Sequence, residues 1–466
     1  MNNRRSRHPQ FQQLESRVNL SGLSFTFHQG EEFADRFLSV LSVHPMGVGD
    51  KESVLMLIFD DDLDRSVVAT FQVENGELVQ RSLIRTAGHP EHAMADFDGD
   101  GYLDFVFFGL DEGYWIGWTR GDGEGAFESE TNLVNGSDTI AVRPFQLAPA
   151  DFDNDGDVDL AVLDRAYPPS DDDFPDLVIY SNDGTGTLGD RRVVGTFESC
   201  DDIKAADLDG DGWVDLFCHA GNAPSDSSPT ELFWVRNAGD TFVKNDLSET
   251  FNNSTKWYAI RDVFLEDIDS DGRLDLLPTN HWNVMRGVRE TDGQIASFDL
   301  LIDGLGEFCC SRQEFADLDA DGDVDLVERA ERYYYSVEGN FMYEEEVTWR
   351  ENVDGVFQEK QLLAIVPRDR NHARSVHSGD LDGDGDLDIL ISPNQWLESH
   401  VADGALPIAG DINSDRSVDM TDFLVLAESF GRTSMVSRFH GDLDENGVVD
   451  FTDFLMLSQY LIAAGA

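Results

Sequence analysis

Positive charge is what this chain most lacks. Its 466 residues carry 33 Lys and Arg against 92 Asp and Glu, for a net charge of −59. Nucleic-acid binding draws its affinity from Lys and Arg that release counterions from phosphates, and anionic lipid attracts the same residues, so neither partner is expected. Apolar runs are short as well: none reaches the roughly eighteen residues that a membrane-spanning helix needs. Four cysteines are too few for a disulfide-built scaffold, and their spacing fits no zinc pattern. Cys200 and Cys218 flank one predicted hairpin and can pair, whereas adjacent Cys309 and Cys310 fall on opposite faces of a strand. No G-x-S-x-G elbow, H-E-x-x-H pair or phosphate-cradling glycine loop is present. Residues 1–22 hold Arg4, Arg5, Arg7 and Arg17 without the apolar run of a secretory signal, and read as a basic tail.

What is present in excess is aspartate, and it is periodic. The pattern D-x-D-x-D-G-x-x-D begins at Asp96, Asp151, Asp207, Asp267, Asp317 and Asp380, at steps of 50 to 63 residues. The second position is always apolar (Phe97, Phe152, Leu208, Ile268, Leu318, Leu381) and the eighth always aliphatic, which anchors each loop to a core. Short apolar runs follow, such as Phe105-Val106-Phe107-Phe108 and Leu160-Ala161-Val162-Leu163, and read as buried strands. A unit of this length with several short strands is the size of a propeller blade. An atypical unit precedes the six: Gly47-Val48-Gly49-Asp50 and Val54 to Ile58 align with the loop and strand of the next unit but lack the carboxylates. The last unit is short of outer strands, and Phe25 to Phe33 resembles an outer hairpin. The expected fold is therefore mainly β, a seven-bladed propeller over residues 23–400, closed by its own N-terminal strands to remove an open sheet edge.

Four carboxylates within nine residues repel one another unless a cation sits among them. The expected ligands are Asp96, Asp98, Asp100 and Asp104; Asp151, Asp153, Asp155 and Asp159; Asp207, Asp209, Asp211 and Asp215; Asp267, Asp269, Asp271 and Asp275; Asp317, Asp319, Asp321 and Asp325; and Asp380, Asp382, Asp384 and Asp388. Each set is joined by the backbone carbonyl of its seventh residue: Tyr102, Asp157, Trp213, Arg273, Asp323 and Asp386. The seventh residue varies freely, as expected if only its backbone is used. An all-oxygen cage without His or Cys points to calcium rather than zinc or copper, and glycine at the sixth position permits the sharp turn.

These loops and their hairpins resemble the FG-GAP or VCBS repeats of integrin-type β-propellers. The resemblance implies calcium loops at the rim of one face and ligand binding on a face of the disc. It implies no single activity, because adhesion receptors, lectins and polysaccharide lyases share the fold. Likewise Leu14-Glu15-Ser16-Arg17-Val18-Asn19-Leu20-Ser21 resembles a short export element of some bacterial surface proteins.

After a linker at 401–408 the spacing lengthens to twelve residues. Asp411, Asn413, Asp415, Asp419 and Asp422, then Asp442, Asp444, Asn446, Asp450 and Asp453, are each followed by helical apolar spacing. Loop and helix twice over is an EF-hand-like arrangement, and residues 409–466 resemble a dockerin, whose family binds a cohesin partner. Arg416 replaces the glycine expected at the sixth position of the first loop. About eight calcium ions are expected in all.

Arg261, Arg312 and Arg374 precede their loops at similar inner-strand positions and either hold an anionic sugar or a carboxylate or pair with the abundant local Asp, while Trp115, Trp257 and Trp282 either stack on sugars or pack between blades. His89 and His92 make an isolated H-x-x-H. The leading expectation is a non-enzymatic, calcium-dependent extracellular or cell-surface protein that recognises a protein or glycan. The rivals are a lyase-type polysaccharide-active enzyme delivered by a dockerin, and a structural calcium-dependent module.

Overall fold

The computed structural model describes residues 17–20, 23–29, 37–45, 52–60, 65–74, 77–84, 92–109, 115–123, 125–128, 131–135, 142–166, 174–197, 200–220, 231–239, 241–254, 260–280, 283–289, 295–303, 305, 312–335, 341–366, 375–392, 395–400, 423, 426–427, 430, 449 and 451–464. The expected features at Gly47 to Asp50, His89, Trp257, Trp282, Cys309 and Cys310, Arg374, the linker 401–408 and all tail-loop ligands except Asp453 lie outside them.

Among the described residues seven antiparallel sheets of four or five strands form the blades, and a separate two-stranded hairpin pairs Asn352–Val353 with Val356–Phe357. Blade 1 comprises Phe37–Pro45, Glu52–Asp60, Arg65–Glu74 and Glu77–Ile84. Blade 2 comprises His92–Ala95, Asp104–Gly109, Trp115–Thr119 and Thr131–Asn135. Blade 3 comprises Val142–Ala150, Asp159–Ala166, Asp176–Asn182 and Leu188–Thr196. Blade 4 comprises Asp202–Ala206, Asp215–His219, Leu232–Asn237 and Phe242–Asp246. Blade 5 comprises Asp262–Glu266, Asp275–Thr279, Asn283–Arg289 and Ile295–Asp303. Blade 6 comprises Arg312–Ala316, Asp325–Tyr335, Phe341–Arg350 and Gln361–Val366.

Blade 7 is assembled from both ends of the domain. His377–Gly379, Asp388–Ser392 and Gln395–Ser399 are completed by Leu23–Gln29, which pairs antiparallel with Gln395–Ser399 in the register Phe25 to Ser399 and Phe27 to Leu397. The closure expected from the sequence is therefore present. Arg17–Leu20, within the stretch read as a tail, adds a fifth strand outside Leu23–Gln29.

The core is a set of wedges between blades. In the second strand of blade 3, Leu160 and Val162 join the cluster shared with blade 2, while Ala161 and Leu163 join the cluster shared with blade 4. Blade 4 repeats the pattern, with Leu216 and Cys218 facing blade 3 and Phe217 facing blade 5. Alternate side chains point to opposite faces of a strand, and here both faces are covered, so the sequence reads as an unbroken apolar run. The short helix Ser248–Ser254 after blade 4 adds Phe251 to the wedge toward blade 5.

Cys200 and Cys218 form a disulfide with Cα atoms 5.8 Å apart, tying the entry of blade 4 to its second strand. Linking residues 18 apart restricts the unfolded chain by about 3 kcal/mol. Cys218→Ser is expected to lower stability by about that amount in a denaturant titration. Reductant should shift the wild type equally and leave the variant unmoved; coincident midpoints for the two oxidised proteins would contradict this.

Beyond the propeller, Phe451–Ala464 forms the helix expected after the second tail loop. Phe454 on it meets Phe423 edge-on with ring centroids 6.0 Å apart, and Leu426, Val449 and Leu457 are buried.

Candidate metal centre

Each D-x-D-x-D-G-x-x-D segment links the end of an inner strand to the start of the second strand, so the six loops of blades 2 to 7 sit at the same end of their sheets. Local hydrogen bonds give them one shape. The first aspartate takes the amides of the fifth and sixth residues: Asp100 N reaches Asp96 Oδ1 at 3.1 Å and Gly101 N reaches Asp96 Oδ2 at 2.8 Å, and the sixth-residue bond recurs in all six loops. The sixth glycine has φ between +84° and +100°, and nothing lies within 4 Å of where its Cβ would stand, so backbone conformation and not crowding demands glycine.

The fourth position is also left-handed throughout, with glycine in three loops and Asn154, Ser270 and Ala320 in the others. Its signal in the sequence is the small-residue set Gly, Asn, Gly, Ser, Ala, Gly. Nor is the seventh side chain idle, as its variability suggested. Tyr102, Asp157 and Trp213 lie against Gly123, Gly184 and Gly239, where an added Cβ would come within 3 Å of them.

The ninth aspartate is buried in every loop and serves the fold directly. In blade 4, Asp215 Oδ2 accepts Leu208 N at 3.1 Å and Oδ1 accepts Asn237 N at 2.7 Å. Blades 2, 3, 6 and 7 repeat this double acceptance; in blade 5 one of the two donors is Arg286 Nε, at 2.9 Å from Asp275 Oδ1. A carboxylate has about four acceptor positions, so two amides do not preclude a cation. The residue whose amide donates to Oδ1 has a further role in three blades. Asn182, Asn237 and Asn352 each donate from Nδ2 to the second-position carbonyl of the preceding blade's loop, at 2.7 to 2.8 Å. These asparagines pin neighbouring loops together.

Donor oxygens converge. Single atoms from Asp96, Asp98 and Asp104 lie within 4.8 Å of one another, as do those of Asp151, Asp153 and Asp159, of Asp207, Asp209 and Asp215, and of Asp267, Asp269 and Asp271. Burial, then repulsion from neighbouring carboxylates, holds Asp98 and Asp153 above the usual range and pushes Asp319 and Asp382 up to about 6. Asp269 Oδ1 and Asp319 Oδ1 are buried with no hydrogen-bond partner among the described residues. An all-oxygen set with surplus negative charge and unmet acceptors fits a hard divalent cation such as calcium. Three loops also carry an internal counter-charge: Arg120 pairs with Asp98 and Asp100, Arg236 with Asp209 and Asp211, and Arg286 with Asp269 and Asp275. Among the described residues no arginine reaches the third- and fifth-position carboxylates of blades 3, 6 and 7.

Other expected site residues are less informative. Trp115 packs edge-on against Phe107 between blades 1 and 2, and Arg261 and Arg312 stand at the start of the inner strands of blades 5 and 6. His92 bonds Ser42 Oγ through Nε2 at 2.9 Å.

Inner strands carry further ionisable groups. Glu314 is pushed up to about 7 by burial, with bonds from Ser378 opposing and Glu266 adding repulsion; Lys204 favours its charged form. A carboxyl raised above its ordinary value of 4.5 contributes stability that is complete below that pH and is lost as pH rises through about 7. Glu314→Gln is therefore expected to gain on the order of 1–3 kcal/mol relative to wild type above pH 7. Denaturant midpoints across pH 4 to 8 check this, and a constant difference across that range would contradict it.

Residues 96–162, 151–218 and 317–391 match the family model of the FG-GAP-like repeat. No curated protein sequence matches. Among solved structures, an Agrocybe aegerita lectin described for specific recognition of non-reducing terminal N-acetylglucosamine is 17% identical, with 71% of this chain and 81% of that one covered at a TM-score of 0.47. The Dos1 propeller is 11% identical, with 83% and 92% covered at a TM-score of 0.42. Neither likeness is close enough to hand a ligand to this chain. The seven blade sheets make this chain a seven-bladed β-propeller, and three stretches of it match the FG-GAP-like repeat.

Proposed function

We propose that this is a calcium-dependent recognition protein that works outside the cell. Calcium is held by the first, third, fifth and ninth carboxylates and the seventh carbonyl of six loops, and the loop-bearing face presents a rigid rim to a protein or glycan ligand. The observation that carries this reading is the repetition of one carboxylate loop six times, at the same end of six of the seven blades, with three of the junctions pinned by Asn182, Asn237 and Asn352. Extracellular oxygen sites commonly bind calcium at about 0.1 to 1 mM, a supply found outside cells and not in cytosol. The tail adds a second calcium module of EF-hand type that docks to a cohesin-like partner. The test is a glycan and protein array probed with and without calcium, coupled to a product assay. Calcium-dependent retention without turnover is the expected result. Release of unsaturated sugars would replace recognition by lyase chemistry, and calcium-independent retention would detach the rim from the function.

A further inference from the structure

We propose that Asp202, His219 and Asp262 form a mixed nitrogen and oxygen site for a zinc-class transition metal, on the face opposite the aspartate loops. Asp202 and Asp262 begin the inner strands of blades 4 and 5, and His219 ends the second strand of blade 4, so all three sit at the far end of the strands from the loops. One donor atom from each lies within 4.8 Å of the other two. His219 Nε2 stands 3.1 Å from Asp202 Oδ2. Two ligands bound to a tetrahedral zinc at 2.0 to 2.1 Å stand about 3.3 Å apart, so this edge is already near the required length.

The donor set differs in kind from that of the loops. Imidazole suits zinc, copper and nickel, whereas calcium takes oxygen alone. The His219 side chain is 3% exposed and turns its Nε2 toward Asp202, so the cluster offers a metal a buried imidazole donor beside two carboxylates. Asp262 receives Lys204 Nζ at 3.1 Å and Val263 N at 2.8 Å, both on Oδ1, and Oδ2 is left for a metal. Lys204 acts as the competing cation, balancing the carboxylates when no metal is bound. The geometry is braced covalently, because the disulfide joins Cys218, next to His219, to Cys200, whose Sγ lies 3.7 Å from the Asp202 carbonyl oxygen. None of this depends on calcium in the loops.

The experiment titrates the full-length protein with zinc in a calorimeter under saturating calcium, with zinc and calcium content measured afterwards. Wild type is expected to take up one zinc more than His219→Ala, at micromolar or tighter affinity. Asp262→Asn, at a half-exposed position that should not disturb folding, is expected to weaken this zinc at least tenfold and leave calcium content unchanged. Lys204→Met is expected to tighten it by removing the competitor. Equal zinc uptake by wild type, His219→Ala and Asp262→Asn would overturn the proposal, because then the cluster is a salt-bridge network only; unchanged affinity in Lys204→Met would overturn the role given to Lys204 as the competing cation.

Discussion

Chelating calcium is expected to lower the melting temperature of the propeller by on the order of 10–20 °C. A ligand that binds only the folded state at about a hundred times its Kd adds about 2.7 kcal/mol per site, and six independent sites would add about 16 kcal/mol. With an unfolding entropy of about 2 cal/mol/K per residue, a propeller of this length converts that into a shift near the top of the range, and weaker sites reduce it. The arginine pairs divide the loops into two groups. Those of blades 2, 4 and 5 already hold Arg120, Arg236 or Arg286 on their carboxylates, so calcium must displace or share a cation there. Blades 3, 6 and 7 are expected to fill first as calcium is raised. Scanning calorimetry and metal analysis of the same samples check both points. About eight ions per full chain are expected, six of them in the propeller; two or fewer, or an unchanged melt, would sink the assignment.

The parts of this fold legible in the sequence are those repeated in register. Six loops announce themselves because ligand spacing, glycine and flanking apolar residues recur together, and the closing strand at Phe25 was visible as a hairpin displaced to the wrong end of the chain. Contacts between distant residues left no such trace. Asn182 and Phe97 meet across 85 residues, and Asp262 approaches Asp202 only because inner strands of adjacent blades converge. The arginines were equally hidden: Arg120, Arg236 and Arg286 are 11 to 27 positions from the carboxylates they meet, at offsets that change with each hairpin's length. The double duty expected of the ninth aspartate was masked by the ligand role read for it, since one residue type satisfies both demands.

That double duty puts Asp325→Ala, with its counterparts Asp159→Ala and Asp215→Ala, among the most damaging single substitutions expected in the loops. Asp325 is fully buried; its Oδ2 accepts Leu318 N at 3.2 Å and its Oδ1 accepts Asn352 N at 2.8 Å. Burial pushes its carboxyl up to about 7 against the opposing pull of the Asn352 amide. Alanine would strand two buried amides at about 1–3 kcal/mol each, a loss of about 2–6 kcal/mol before any metal is considered. Asn352 is itself the pin to blade 5 through the Ile268 carbonyl, so a shift there loosens the wedge between two blades. Measuring the variant in excess chelator separates the two roles. Most of the loss is expected to persist without metal, because the amides need their acceptor whether or not calcium is bound. Asp325→Asn keeps one oxygen acceptor and sets an NH2 against the other amide, so it should fall between alanine and wild type. If the chelator erased the difference between wild type and Asp325→Ala, the ninth aspartate would be a ligand alone.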